Sequence, residues 1–104
     1  MLRYLIPISL LLCQPLLAQA QTQDKLLSGQ RLAATCANCH GSNGRPASAV
    51  VPALAGMREQ DMLTSMKAFR DGSRPATVMH QLAKGYTDEQ LAQLASFFAA
   101  QGAK

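Results

Sequence analysis

Cys36-Ala37-Asn38-Cys39-His40 constrains this chain more than any other stretch. Two thiols three positions apart, followed at once by an imidazole, form the C-x-x-C-H pattern that attaches a c-type haem. Each thiol can add across one vinyl group of the same porphyrin. The histidine is then held beneath the ring, where its nitrogen can bind iron. A chain built this way must fold around a large, flat, apolar group. Two other chemistries share part of the pattern. A redox-active C-x-x-C pair wants a βαβ setting, and the flanking residues here read as helix. A tetrahedral zinc site wants four ligands, and outside the motif only His80 is on offer, with no second Cys or His beside it.

The 104 residues allow one domain. The beginning reads as an export signal: Arg3 supplies the positive region, Tyr4 to Leu17 an apolar run, and Ala18-Gln19-Ala20 a small-x-small cleavage site. Pro7 and Pro15 interrupt the run, which is short for a membrane span. The expected division is therefore a signal peptide at 1–20 and one domain at 21–104, exported to the periplasm and not inserted in a membrane after cleavage. Cys13 lies inside the apolar run and is expected to leave with it, so the motif holds the remaining cysteines and no structural disulfide is available. Residues 1–20 contain one base and no acid, so cleavage takes the formal charge from +4 to +3. That excess is too small and dispersed to point to nucleic acid. A domain this small buries little apolar surface, and a cofactor fixed by two thioether bonds would serve as its staple.

The remaining chain reads as helices joined by turns. Asp24 is placed to cap a first helix towards Cys36, with Leu26, Leu27, Leu32 and Ala33 apolar. Gly29 costs that helix about 1 kcal/mol against Ala, which suggests close approach of another helix. Gly41 to Val51 is rich in Gly, Ser, Asn and Pro and reads as a loop, closed by Pro52 to Gly56. Arg58 to Arg70 is amphipathic, with Met62, Leu63, Met66 and Phe69 at helical spacing, and Gly72 suits its left-handed end. A short helix is expected within Ala76 to Lys84. Thr87-Asp88-Glu89-Gln90 is a capping box that opens a last helix with Leu91, Leu94, Ala95 and Phe98 on one stripe. No segment alternates with a period of two. The fold class is all-α.

These residues together resemble a class I c-type cytochrome, from Gly29 to about Ala100. The resemblance implies a small fold of about four helices around one covalent haem c. It implies that Cys36 and Cys39 hold the haem and that Gly29 crosses the last helix against Phe97 or Phe98. Pro52-x-Leu54-x-Gly56 is similar to the loop whose proline carbonyl accepts a hydrogen bond from the ligating histidine, so Pro52 would orient His40. The sixth iron ligand of the family is a methionine before the last helix, which implies Met79 opposite His40. Met57, Met62 and Met66 are its rivals by type, but Met62 and Met66 lie on an apolar stripe and Met57 follows the loop closely. His80 is a rival by chemistry. Neighbouring helical side chains diverge by about 100°, so only one of the two can face iron, and His80 would then lie on the surface.

The resemblance implies one-electron transfer and no catalytic residues. Lys67 to Gly72, Ala76 to Met79 and Ala83 to Tyr86 are, more narrowly, similar to the cytochrome subunit of flavocytochrome c sulfide dehydrogenases. Many of those subunits carry two haem domains, and this chain has one motif. The expected partner is a sulfide-oxidising flavoprotein, and the alternative is a free soluble carrier between redox enzymes. Lys67, Arg70, Arg74 and Lys84 flank the Met79 segment and are candidates for a docking surface, or ordinary solvated charges.

Overall fold

The computed structural model describes residues 14–102. Arg3, Cys13 and most of the apolar run read as an export signal lie outside the described residues. The described chain is helical: α1 (Gln14–Ala33), α2 (Ala37–His40), a 3-10 turn (Ser42–Gly44), α3 (Glu59–Asp71), α4 (Met79–Ala83) and α5 (Asp88–Ala99). No strand occurs among the described residues. The expected number was about four helices. The fifth is α2, which is the motif itself wound into one turn.

The core is built on α5. Its start is fixed locally, because the Thr87 hydroxyl accepts from the Gln90 amide at 3.1 Å and the Gln90 side chain accepts from the Thr87 amide at 2.9 Å. Asp88 and Glu89 in the first turn complement the positive end of the helix. The stripe of Leu91, Leu94, Ala95 and Phe98 is buried to within 2% of complete. Phe97 and Ser96 are buried as well, because α5 is covered by α1 on one side and α3 on another. Phe97 and Phe98 meet edge to face, 5.2 Å between centroids.

The crossing of α1 over α5 depends on Gly29. A Cβ there would lie 2.3 Å from the Gln93 carbonyl oxygen and 2.8 Å from Phe97 Cβ. Both are anchored by backbone, so neither can swing aside, and the aromatic opposite Gly29 is Phe97. Gly29→Ala gains about 1 kcal/mol of helix propensity. Prising the helices apart costs about 1–3 kcal/mol or more. The clash should win, and chemical denaturation should show Gly29→Ala less stable by about 2 kcal/mol, since relief is possible only by separating the helices. An unchanged or raised midpoint would mean the two helices are not in contact there.

Elsewhere α1 differs from expectation. Asp24 lies inside the helix and does not cap it, because the Leu, Ala and Gln residues before it continue the turn. Leu17 to Lys25 are all exposed, and inward contact begins only at Leu26. Leu27, expected among the apolar contacts, is 42% exposed. Among the described residues no helix is long and apolar enough to cross a membrane.

On the other side, α3 buries Met62 in the core and is tied to α5 by Ser96, whose hydroxyl donates to Glu59 at 3.0 Å. Arg70 reaches past the end of α4 to Asp88 and the Tyr86 carbonyl. The hydrogen bond from Arg70, and then its charge, holds the Asp88 carboxyl below the usual carboxylate range. Gly72 ends α3 at φ 82°, the left-handed conformation expected of it.

Candidate functional site

The C-x-x-C-H motif sits where α1 stops. The Cys36 amide donates to Ala33 at 3.0 Å, and the Cys36 carbonyl then accepts from Cys39 at 3.2 Å and His40 at 2.9 Å. This single turn places the two thiols at i and i+3, on one side of the backbone. Cys36 is half-buried and packs against the core, Cys39 is exposed, and neither is in a disulfide. Burial pushes the Cys36 thiol up. A redox-active C-x-x-C pair needs a lowered thiol, so this environment does not suit one. Nor do three His, Cys, Asp or Glu side chains converge anywhere among the described residues, so the zinc reading finds no ligand set.

His40 reaches Pro52, as the resemblance implied. Its Nδ1 lies 2.8 Å from the Pro52 carbonyl oxygen. A carbonyl only accepts, so Nδ1 carries the proton and donates, and Nε2 is left with its lone pair. The loop bringing Pro52 there is secured from the other end of the fold. The Gly44 carbonyl accepts from Leu54 at 2.9 Å and Ala55 at 3.1 Å, and the Gly56 amide donates to Phe98 at 2.9 Å. The structure thus joins two residues twelve positions apart through a turn, a loop and the end of α5.

Met79 belongs to another part of the fold. It opens α4, which packs against α3, and is half-buried. Val78 and Leu82 beside it are 55% and 53% exposed. Met62 is buried in the core, and Met57 and Met66 pack against it, so core packing accounts for all three. His80 departs from expectation: it is half-buried, and its Nδ1 is buried without a hydrogen-bond partner. A five-residue helix packed on α3 draws in the position after Met79 as well as Met79 itself. Of the basic residues named for docking, Arg70 is spent on Asp88 and Tyr86. Arg74 stacks on Phe69 at 4.7 Å and bonds Ser65. Lys67 and Lys84 are exposed.

Two contacts around the motif had no local signal in the sequence. The Thr35 hydroxyl donates to Leu32 at 3.1 Å and so accepts from the Tyr86 hydroxyl at 3.0 Å, joining the motif to the turn before α5. Arg45 crosses to the carbonyls of Gln101 and Gly102, the latter at 2.9 Å. Both span more than fifty positions, beyond any periodicity or capping rule.

The donor set fits a covalently attached haem. Two unpaired thiols share one turn, and the next residue offers an imidazole nitrogen whose tautomer is already fixed for binding iron.

Comparison with known proteins points the same way. A protein-family model described as Cytochrome c matches residues 26–101. The cytochrome subunit of sulfide dehydrogenase from Chlorobaculum tepidum is 40% identical over 70 residues, which cover 67% of this chain and 63% of that protein. Cytochrome c4 from Pseudomonas aeruginosa is 36% identical over 94 residues, 90% of this chain and 47% of that protein. Cytochrome c-554(548) from Halomonas halodenitrificans is 34% identical over 77 residues, 71% of this chain and 93% of that protein. The chain thus spans less than two thirds of the first of these and about half of the second.

Proposed function

The chain belongs to the cytochrome c family, and on that premise we propose that it is a periplasmic one-electron carrier in which Cys36 and Cys39 hold haem c and His40 and Met79 bind its iron. The observation that carries this reading is the His40–Pro52 hydrogen bond of 2.8 Å beside two free thiols on one turn. Haem c supplies a ferric/ferrous couple at that place. The chain's part is to set the balance of the couple. The Pro52 carbonyl raises the basicity of the other His40 nitrogen by accepting a hydrogen bond from Nδ1–H. The Met79 thioether is a soft, neutral donor that favours the ferrous state and raises the potential. With both residues on the iron, no position would remain for a substrate to bind, and electron exchange with another protein would be the chemistry left.

That partner is a flavoprotein that oxidises sulfide, with this chain as its cytochrome subunit. Identity of 40% to the subunit of that name supports the assignment. A second reading, the free carrier, is favoured by the similarity to cytochrome c-554(548), of which the match covers 93%. Residues 1–20 act as the export signal and 21–104 as the working domain. The uniform exposure of Leu17 to Lys25 supports that division, since the described side chains on both sides of Ala20 take no part in the core.

One preparation tests the cofactor, the cleavage and the partner together. Protein purified from its native host should have the intact mass of residues 21–104 plus one haem, resistant to acid-acetone extraction. It should also copurify with a flavoprotein. Zinc with no visible absorption would overturn the haem assignment, and retention of Arg3 with the membrane fraction would overturn the cleavage. Haem-loaded protein eluting alone would favour the free carrier.

A further inference from the structure

The loop that carries Pro52 is closed at its neck by the Gly44 carbonyl, which accepts from Leu54 and Ala55, but its span is exposed. Residues Ala47 to Val50 are exposed, Val50 to 89%, and the loop borders a cavity of about 530 Å³ lined by Arg45, Ser48, Val51, Pro52 and Ala55 among others. Its position against the core comes from its two ends, one fastened to the last turn of α5 and the other to the residues just past it. At the far end, the Gly56 amide donates to the Phe98 carbonyl. At the near end, the Arg45 guanidinium donates from one nitrogen to the carbonyls of Gln101 and Gly102.

The chemistry of that second contact is favourable. The two carbonyls belong to the residues just past the end of α5, which no helical hydrogen bond uses. The last turn of α5 contains no basic residue of its own. Arg45 brings a cation there from fifty-six positions away, as charge-assisted hydrogen bonds, the one to Gln101 partly buried and the one to Gly102 exposed. Its Nε is buried without a partner, so the two carbonyls alone fix the direction of the guanidinium.

We propose that Arg45 is a positioning residue for His40, clasping the Pro52 loop to α5 so that the Pro52 carbonyl stays on Nδ1. This rests on the reading of His40 as an iron ligand. A loosened clasp lets the loop drift and weakens the Nδ1–H···O bond. His40 then becomes a poorer donor and the potential rises.

The test uses the haem-loaded protein and two variants. Arg45→Met removes the clasp, whereas Arg45→Lys keeps the charge and loses the bridging geometry. The readouts are exchange of the His40 Nδ1 proton by NMR in the ferrous state and the reduction potential. Arg45→Met should exchange that proton about tenfold faster, the low end of the factor for losing charge-assisted hydrogen bonds. Arg45→Lys should shift both readouts in the same direction by less. Arg58→Met, which cuts only the exposed Arg58–Asp61 pair at the start of α3, should leave them unchanged. Should Arg45→Met fail to assemble, Arg45→Lys decides alone. Wild-type exchange and potential in the Arg45 variants overturn the proposal, even where overall stability falls. A His40→Ala protein with a native low-spin spectrum would instead remove the ligand reading on which it rests.

Discussion

Replacing His40 with alanine is expected to abolish the native low-spin haem spectrum, with the two thioether bonds still able to form. On the proposed reading the thiols of Cys36 and Cys39 would fasten the porphyrin, but a bond to iron needs a lone pair held under it. Among the described residues His40 is the imidazole whose Nδ1 is engaged by a carbonyl, at 2.8 Å from Pro52, which leaves Nε2 free for the metal. Pro52→Ala should act far more gently, because the acceptor is a backbone carbonyl and survives the substitution. What Pro52→Ala loses is the fixed φ of proline in a loop whose span is exposed. The loop samples more conformations, the hydrogen bond is made for less of the time, and the potential should rise while the spectrum stays low-spin. Absorption spectra and redox titration of the two variants check this. A native spectrum in His40→Ala would mean another residue binds the iron.

Some of these relations were readable along the chain and others were not, for a physical reason. The capping box at Thr87, the left-handed Gly72 and the stripe of Leu91, Leu94, Ala95 and Phe98 depend on residues within a turn or two of each other. Local chemistry decides them, and the structure agrees. Gly29 was legible as a close approach because glycine is costly inside a helix, though only the packing shows that it meets Phe97 and the Gln93 carbonyl. Asp24 misled because its capping chemistry is real, but α1 continues through it from residues that also favour helix. His80 misled because α4 lies against α3 with Met79 and His80 both half-buried, while Gln81 and Leu82 are the exposed positions. Arg45 was invisible for the opposite reason. Its partners are backbone carbonyls at the far end of the chain, and a carbonyl leaves no trace in a sequence.

The half-buried His80 makes the sixth ligand the sharper question, and the expected result is that Met79 fills that role. Met79→Ala should lose the weak far-red charge-transfer band of a thioether sulfur bound to ferric iron. It should also lower the potential and admit small ligands such as carbon monoxide. The argument weighs two neighbours on one short helix. Met79 stands at the end of Ala76-Thr77-Val78-Met79, ahead of the capped α5, and its sulfur has no structural duty comparable to that of Met62 in the core. His80 is chemically able to bind iron, and its buried Nδ1 has no partner in the protein. Yet side chains one position apart on a helix diverge by about 100°, so the two cannot converge on one iron without unwinding α4. The potential separates them, because methionine opposite histidine favours ferrous iron whereas a second imidazole lowers the potential. His80→Ala should therefore keep the far-red band and most of the potential. Its main effect should be on α4 itself, since removing a half-buried ring leaves a gap against neighbouring residues. If His80→Ala removes the band and Met79→Ala keeps it, then the imidazole is the ligand and the α4 segment presents its other side to the iron.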